Sequence, residues 1–269
     1  MRSQHFPMPV EEYEIMPWKL GWKYEYWDGN VHITPREQIV TLQVEVKPRL
    51  VDARFTLKPV DSSDEARLVD AFIAAFGDTI EYCDWTPEKI ASAAQHNIRI
   101  FLTGKRGAPL PASRLTMEVH PDTGEARLIG AALLIDQNEE CPLLDMLFVI
   151  PEWQHQGLGT TLVSAAVNDL YKAGVKTLKS RYALGNEMSR SWHQKFGFVE
   201  EPDLFLARLY YHHVYHELWR REQLDDLTKA ERQQLMSEVE HWNSRVEELE
   251  KIAEEQGMEA VVPLLRSRG

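Results

Sequence analysis

Cysteine is nearly absent from this 269-residue sequence, which holds only Cys83 and Cys141. Two thiols cannot build a disulfide framework, and they fit a chain kept in the reducing cytoplasm. Neither has a flanking pattern that would make it a nucleophile. Long hydrophobic runs are missing too: no stretch approaches the ~18 apolar residues of a bilayer span, so no membrane partner is expected. The opening Met1-Arg2-Ser3-Gln4-His5-Phe6-Pro7 has no hydrophobic core of a secretory signal. Positive charge is in short supply, with 30 Lys and Arg against 42 Asp and Glu, a formal net charge of −12. Neutralising phosphates takes clustered cations, so nucleic acid is excluded as a general partner. Much of the negative charge lies toward the C-terminus, where it reads as a solvated helical face.

What the chain does have is one well-punctuated strand–loop–helix. Leu143 to Ile150 is an apolar run broken by Asp145 and stopped by Pro151, as expected of a buried strand. Leu158, Leu162, Ala166 and Leu170 then recur at four-residue spacing, the apolar stripe of a helix that ends near Gly174. Between them, Gly157 and Gly159 let backbone approach a ligand closely. The unpaired N–H groups of a helix start, at the positive end of its dipole, suit a phosphate or pyrophosphate. A dinucleotide-binding loop would need glycine where Leu162 stands, and a P-loop would need Gly-Lys-Ser/Thr where Gly159-Thr160-Thr161 stands.

Gln154-x-x-Gly157-x-Gly159 after a strand resembles the signature of the GNAT superfamily of N-acetyltransferases. A second block, Asn186-x-x-Ser189-x-x-Trp192-His193-Gln194-Lys195-Phe196-Gly197-Phe198, is similar to that family's later motif, and the spacing between the blocks fits. The resemblance covers roughly residues 53–201. It implies an α/β (α+β) fold with a mixed, mostly antiparallel sheet flanked by helices. It also implies acetyl-coenzyme A as co-substrate, its pyrophosphate on Gln154, His155, Gln156, Gly157, Leu158, Gly159 and Thr160. The pantetheine arm would lie along backbone groups of Leu147, Phe148 and Val149, with Asn186 holding it or capping a helix.

Three segments are expected: an N-terminal β extension (1–52), the acetyltransferase domain (53–201) and a C-terminal helical hairpin (202–269). In the first, Trp22, Tyr24 and Tyr26 alternate with charged residues, Asp28-Gly29-Asn30 turns the chain, and Val31 and Ile33 return it. Pro9 to Tyr13 with Lys23 to Gly29 resembles the opening of restriction-nuclease-like proteins of the Uma2 type. The acidic metal-binding body of that family is not found, so the segment is read as a structural module. In the middle segment, Arg114 to Val119 and Ala126 to Ile135 read as strands joined at Pro121-Asp122-Thr123-Gly124. The family's last strand is not visible after Phe198-Val199, and Thr41 to Val46 is the candidate to replace it. In the tail, Leu206, Tyr210, Val214 and Leu218 mark one helix. Thr228-x-x-Glu231 caps a second, running to Gly257. Its apolar seam can pack within the chain or against a second copy in a homodimer.

Acyl transfer needs a neutral amine, although a free alkylamine has a pKa near 10.4. A base must take the proton, and the leaving thiolate benefits from an acid. Asp145, the lone carboxylate in an apolar strand, is the candidate base, the alternative being an aspartate bound to a neighbouring loop or Arg. The family's acid is commonly a tyrosine seven residues after the motif asparagine; here that position is His193, read either as the acid or as a lining residue. His212 and His216 stand one helical turn apart without a third ligand, so no metal is expected. The reading is an acetyl-coenzyme A-dependent N-acetyltransferase acting on an amine of a small molecule or protein. A non-catalytic acyl-coenzyme A-binding or scaffolding protein is the alternative.

Overall fold

The computed structural model describes residues 2–119, 124–137 and 141–256. The expected turn at Pro121-Asp122-Thr123 and the helix end at Gly257 lie outside the described residues. In chain order the elements are β1 (Gln4–Pro7), α1 (Val10–Glu14), β2 (Trp22–Trp27), β3 (Asn30–Pro35), β4 (Ile39–Glu45) and β5 (Leu57–Pro59). There follow α2 (Glu65–Phe76), α3 (Pro87–Leu102), β6 (Ala108–Pro109), β7 (Arg114–Val119), β8 (Ala126–Asp136) and β9 (Leu143–Val149). The chain continues through α4 (Leu158–Lys172), β10 (Thr177–Ala183), α5 (Glu187–Phe196), β11 (Val199–Glu200), α6 (Leu204–Gln223) and α7 (Lys229–Glu255). No described helix is long and apolar enough to cross a membrane.

The chain divides into two compact units, and neither coincides with a linear third of the sequence. One unit holds residues 39–201 together with the first three residues; the other joins residues 4–38 to the chain from Pro202 onward. The segment 39–52, expected within the N-terminal extension, therefore belongs to the larger unit.

The larger unit is built on a sheet of order β11-β4-β10-β9-β8-β7-β5, with β6 added at β8. Every pairing is antiparallel except β9 with β10, so the sheet is mixed and mostly antiparallel, as expected. The place of the missing final strand is filled by β4, paired with β10 from Thr177↔Glu45 to Ala183↔Ile39. Val40, Leu42 and Val44 point one way along it and are buried, while β11 adds only a short edge. The core sits on β8, where Leu128 to Ile135 are buried almost without a break because helices α2 and α4 both pack on this strand. Gly130 gives close approach here: a Cβ would stand 3.2 Å from Leu158 Cδ2, Leu162 Cδ1 and the Phe148 carbonyl oxygen, and these neighbours would have to give by a few tenths of an ångström. Its absence lets the first turns of α4 sit directly on the sheet.

The smaller unit contains an antiparallel sheet of order β1-β3-β2. Asp28 and Gly29, both at positive φ, form the two-residue turn between β2 and β3, the backbone a hairpin of this hand requires. Trp22, Val31 and Ile33 are buried in it. Within the same unit α6 and α7 pack on each other, with the Tyr210 and Trp242 rings 4.4 Å apart and Arg208 paired to Glu250 at 2.7 Å. His216 stacks on Trp18 at 3.5 Å and bonds the Glu14 carbonyl at 3.1 Å, so it serves packing.

Candidate active site

The site grows out of a fault in the sheet. Strands β9 and β10 are paired only at Lys179↔Leu143 and Ser180↔Leu144. Each then runs on without the other, to Val149 and Ala183, so the two part toward their C-terminal ends. On its other side β9 stays paired to β8 as far as Gly130↔Val149, apart from one irregularity. Leu133 faces Met146 and Leu134 faces Leu144, leaving Asp145 as the extra residue of a bulge. A wedge with β9 on one wall is the result, and Leu147, Phe148 and Val149 lie along it.

At its mouth the chain turns into α4. A short helical turn at Pro151–Trp153 leads to His155 at φ +59 and Gly157 at φ +85. Gly157 is the residue before the helix, and no side chain caps the helix there. The side chains in the loop are otherwise employed. Gln154 Nε2 donates to the Val149 carbonyl at 3.0 Å, and Gln156 Nε2 donates to the Glu152 carbonyl at 2.9 Å. Arg54 reaches the Gln156 carbonyl at 3.3 Å. Thr160 Oγ1 accepts from Trp192 Nε1 at 3.2 Å, tying α4 to α5 beside Gly159. With side chains turned to backbone, the first N–H groups of α4 are the feature left to meet an anion.

The far wall is closed by α5. Asn186 caps this helix, its Oδ1 accepting from the Ser189 amide at 3.0 Å. Its Nδ2 donates to Glu81 at 2.9 Å. His193, one helical turn after Ser189, is buried, being 3 % exposed. Nδ1 stands 2.8 Å from the Ser189 carbonyl oxygen, which can only accept, so that nitrogen carries the proton. Nε2 then accepts from the Ser180 hydroxyl at 2.8 Å. Burial pushes its pKa down to about 4, against smaller upward effects of the Ser189 carbonyl and Glu200. Both ring nitrogens are thus engaged within the protein, on Ser189 and Ser180. Ser180, itself 1 % exposed, is likewise a buried partner of His193 and no nucleophile.

Asp145 reaches an ion pair that no sequence pattern announced. Arg106, in the turn after α3, places Nη2 2.8 Å from Oδ2 of Asp145, whose side chain is 9 % exposed. The alignment is poor enough that Oδ2 has no well-directed hydrogen bond. Arg106 also donates to Asn97 Oδ1 at 2.9 Å, which fixes the guanidinium. Burial raises the Asp145 pKa and outweighs the opposing pull of Arg106 and Arg181. Sequence reasoning missed Arg106, Glu81 and the hydrogen bond from Trp192. The first two lie in turns without periodicity, and Trp192 had registered only as an apolar motif position.

Residues 90–198 match the acetyltransferase (GNAT) family. The chain is 28% identical over 155 residues to aminoglycoside N(6')-acetyltransferase type 1 of Klebsiella aerogenes, covering 56% of this chain and 93% of the relative. Among solved structures it is similar to PaiA N-acetyltransferase of Thermoplasma acidophilum in complex with coenzyme A. That match has 19% identity and a TM-score of 0.45, over 55% of this chain and 91% of the other. A GCN5-related N-acetyltransferase of Sphaerobacter thermophilus matches at 17% identity and a TM-score of 0.42, over 61% of this chain. The present chain spans about half, 48%, of that molecule.

Proposed function

We propose that the larger unit transfers an acetyl group from acetyl-coenzyme A to a primary amine, the acceptor being a small molecule or a protein amino group. The observation that carries this reading is the parted β9–β10 pair with the uncapped start of α4 at its mouth. The residues suit the coenzyme. The N–H groups from Gly157 to Thr160 would receive the pyrophosphate, with Gln154, His155 and Gln156 shaping the loop. Backbone groups of Leu147, Phe148 and Val149 would pair with the pantetheine arm. Asn186, already committed to its cap and to Glu81, would border that arm.

The amine nitrogen attacks the thioester carbonyl, forming the C–N bond as the C–S bond breaks. The nitrogen loses a proton and the coenzyme sulfur gains one. Asp145, on the β9 bulge, is the candidate base, and its raised pKa makes it a better base than a solvated aspartate. Arg106 stands against it and favours its ionised form, so proton removal through an intervening water fits better than direct contact. His193 is given a positioning role: it ties β10 to α5 and so holds the far wall. Most of the acceleration in this scheme comes from holding amine and thioester together.

Titration calorimetry with acetyl-coenzyme A followed by thiol release over an amine panel tests the reading. Binding with amine-dependent release supports it. Binding without release would favour the non-catalytic acyl-coenzyme A-binding alternative, to which the locked state of His193 lends some weight. No binding would sink both.

A further inference from the structure

One side-chain donor at the mouth of the wedge is spent differently from its neighbours. Gln154 and Gln156 give theirs to backbone carbonyls, which hold the loop in shape. Trp192 of α5 gives its indole N–H to a hydroxyl, Thr160 Oγ1, at 3.2 Å. An indole nitrogen can only donate, whereas a hydroxyl turns freely between partners. Thr160 is exposed, so water satisfies its hydroxyl as soon as the indole leaves.

The indole nitrogen stands beside residues assigned to the pyrophosphate. A Cβ on Gly159 would lie 3.5 Å from Trp192 Nε1, with Val149 Cγ2 at 3.8 Å and Leu147 Cδ2 at 3.9 Å. Gly159 and Thr160 lie in the first turn of α4, so the wall strand β9, α4 and α5 converge on one point. The Trp192 ring stacks on Phe196 at 5.1 Å and meets Phe198 at 6.0 Å, while its N–H is directed at α4. An anion on the first amides of α4 therefore arrives next to this donor. A hydrogen bond to a charged oxygen is roughly twice as strong as one between neutral groups, so exchanging the hydroxyl for a phosphate oxygen favours the bound state.

Resting on the acetyl-transfer reading, we propose that Trp192 is a coenzyme-binding residue, its indole N–H leaving Thr160 to donate to a diphosphate oxygen of acetyl-coenzyme A. In the free protein the bond to Thr160 keeps that donor aimed at the start of α4.

The test follows the indole N–H signals of the full chain by 15N NMR, the Trp192 signal being the one lost in Trp192→Phe. Acetyl-coenzyme A and adenosine diphosphate are each expected to move it, whereas adenosine and pantetheine leave it in place. Calorimetry adds the energetics. Trp192→Phe keeps a ring on Phe196 and is expected to weaken acetyl-coenzyme A binding about five- to tenfold. Thr160→Val removes the acceptor but leaves the indole, and is expected to weaken binding less than threefold. A mere tie between α4 and α5 would be broken equally by both variants, so equal losses overturn the proposal. It is likewise overturned by a Trp192 signal that stays put at saturating acetyl-coenzyme A, or that pantetheine moves as far as the diphosphate does. Should Trp192→Phe not fold, the signal displaced by Thr160→Val identifies Trp192 and the titrations on wild type still decide. Wild type that binds no coenzyme removes the transferase reading and this proposal together. An unmoved signal in a protein that binds coenzyme removes this proposal alone.

Discussion

Two helices begin beside the same parted strands, and they begin in opposite ways. Helix α5 starts under Asn186, and its first turns are threaded by hydrogen bonds from the Ser189 amide to Asn186, from His193 to the Ser189 carbonyl and from Ser180 to His193. Helix α4 starts at Gly157 with no side-chain cap at all. The other long capped helices resemble α5: Thr86, Asp203 and Thr228 each accept from an amide of the first turn of α3, α6 and α7. A capped start contributes stability but has already used the N–H groups that an anion would seek. A bare start forgoes that contribution and keeps its donors available. On the proposed reading the α5 wall carries stability and the α4 mouth carries binding, and each role can be broken separately.

The largest effect is expected at His193. A histidine whose folded pKa lies near 4, below an unfolded value near 6.5, leaves the folded protein short of a proton between those limits. Its contribution is complete above about pH 6.5 and drains away as pH falls toward 4, by roughly 3 kcal/mol in all. Denaturant midpoints taken from pH 7.5 to 4.5 should fall steeply in wild type and less so in His193→Gln. The His193 ring signals in NMR should stay those of the neutral, Nδ1-protonated form down to about pH 5. A ring that titrates near 6.5 would mean that α5 is as open as α4, and the comparison would fail.

Gly157 comes next and tests the other side. A β-branched side chain strongly resists a φ of +85°, so Gly157→Val should twist the loop and withdraw its N–H groups from a pyrophosphate. Coenzyme A affinity measured by calorimetry should fall at least tenfold, about 1.4 kcal/mol or more. Circular dichroism should show the helices intact. Unchanged affinity would remove the anion-binding role from the start of α4.

Asn186→Ala follows. Losing the cap of α5 should cost about 1 to 1.5 kcal/mol of stability, read from the urea midpoint, with coenzyme affinity changed less than threefold. A tenfold loss of affinity would instead restore to Asn186 a direct hold on the pantetheine arm.

How much of this could be read beforehand follows the range of the forces. The β9–α4 junction was legible because an apolar run, a proline and a helical stripe are local patterns that a buried strand and an amphipathic helix must display. Helices α6 and α7 were legible for the same reason, through Asp203 and the Thr228–Glu231 box. The strand at Thr41 to Val46 could be seen as a strand, but its full pairing with β10 depends on contacts more than a hundred residues distant. Its segment was accordingly placed with the N-terminal extension. The joining of residues 4–38 to the C-terminal helices has no local sign either. Asp145 showed itself as a carboxylate in an apolar strand, yet its partner Arg106 lies in a turn with no periodicity. For His193 the motif marked the position, whereas its burial and its hydrogen bonds to Ser189 and Ser180 are encoded in no motif.

Thr228→Ala should have the smallest effect, and it is the control for the whole comparison. The wild-type box has three bonds: the Thr228 amide and hydroxyl both donate to Glu231, at 2.9 and 2.6 Å, and the Glu231 amide reaches Thr228 Oγ1 at 3.3 Å. Alanine keeps the first and removes the other two, so about half to 1 kcal/mol is expected, the low end for a cap. The Glu231 carboxyl, held down to about 2 chiefly by the Thr228 hydroxyl, should titrate higher in the variant while remaining below the usual glutamate range, because the backbone bond and Arg221 persist. Coenzyme affinity and thiol release should not change. If they did, a capped helix start in the smaller unit would influence the α4 mouth, and stability and binding could no longer be assigned helix by helix.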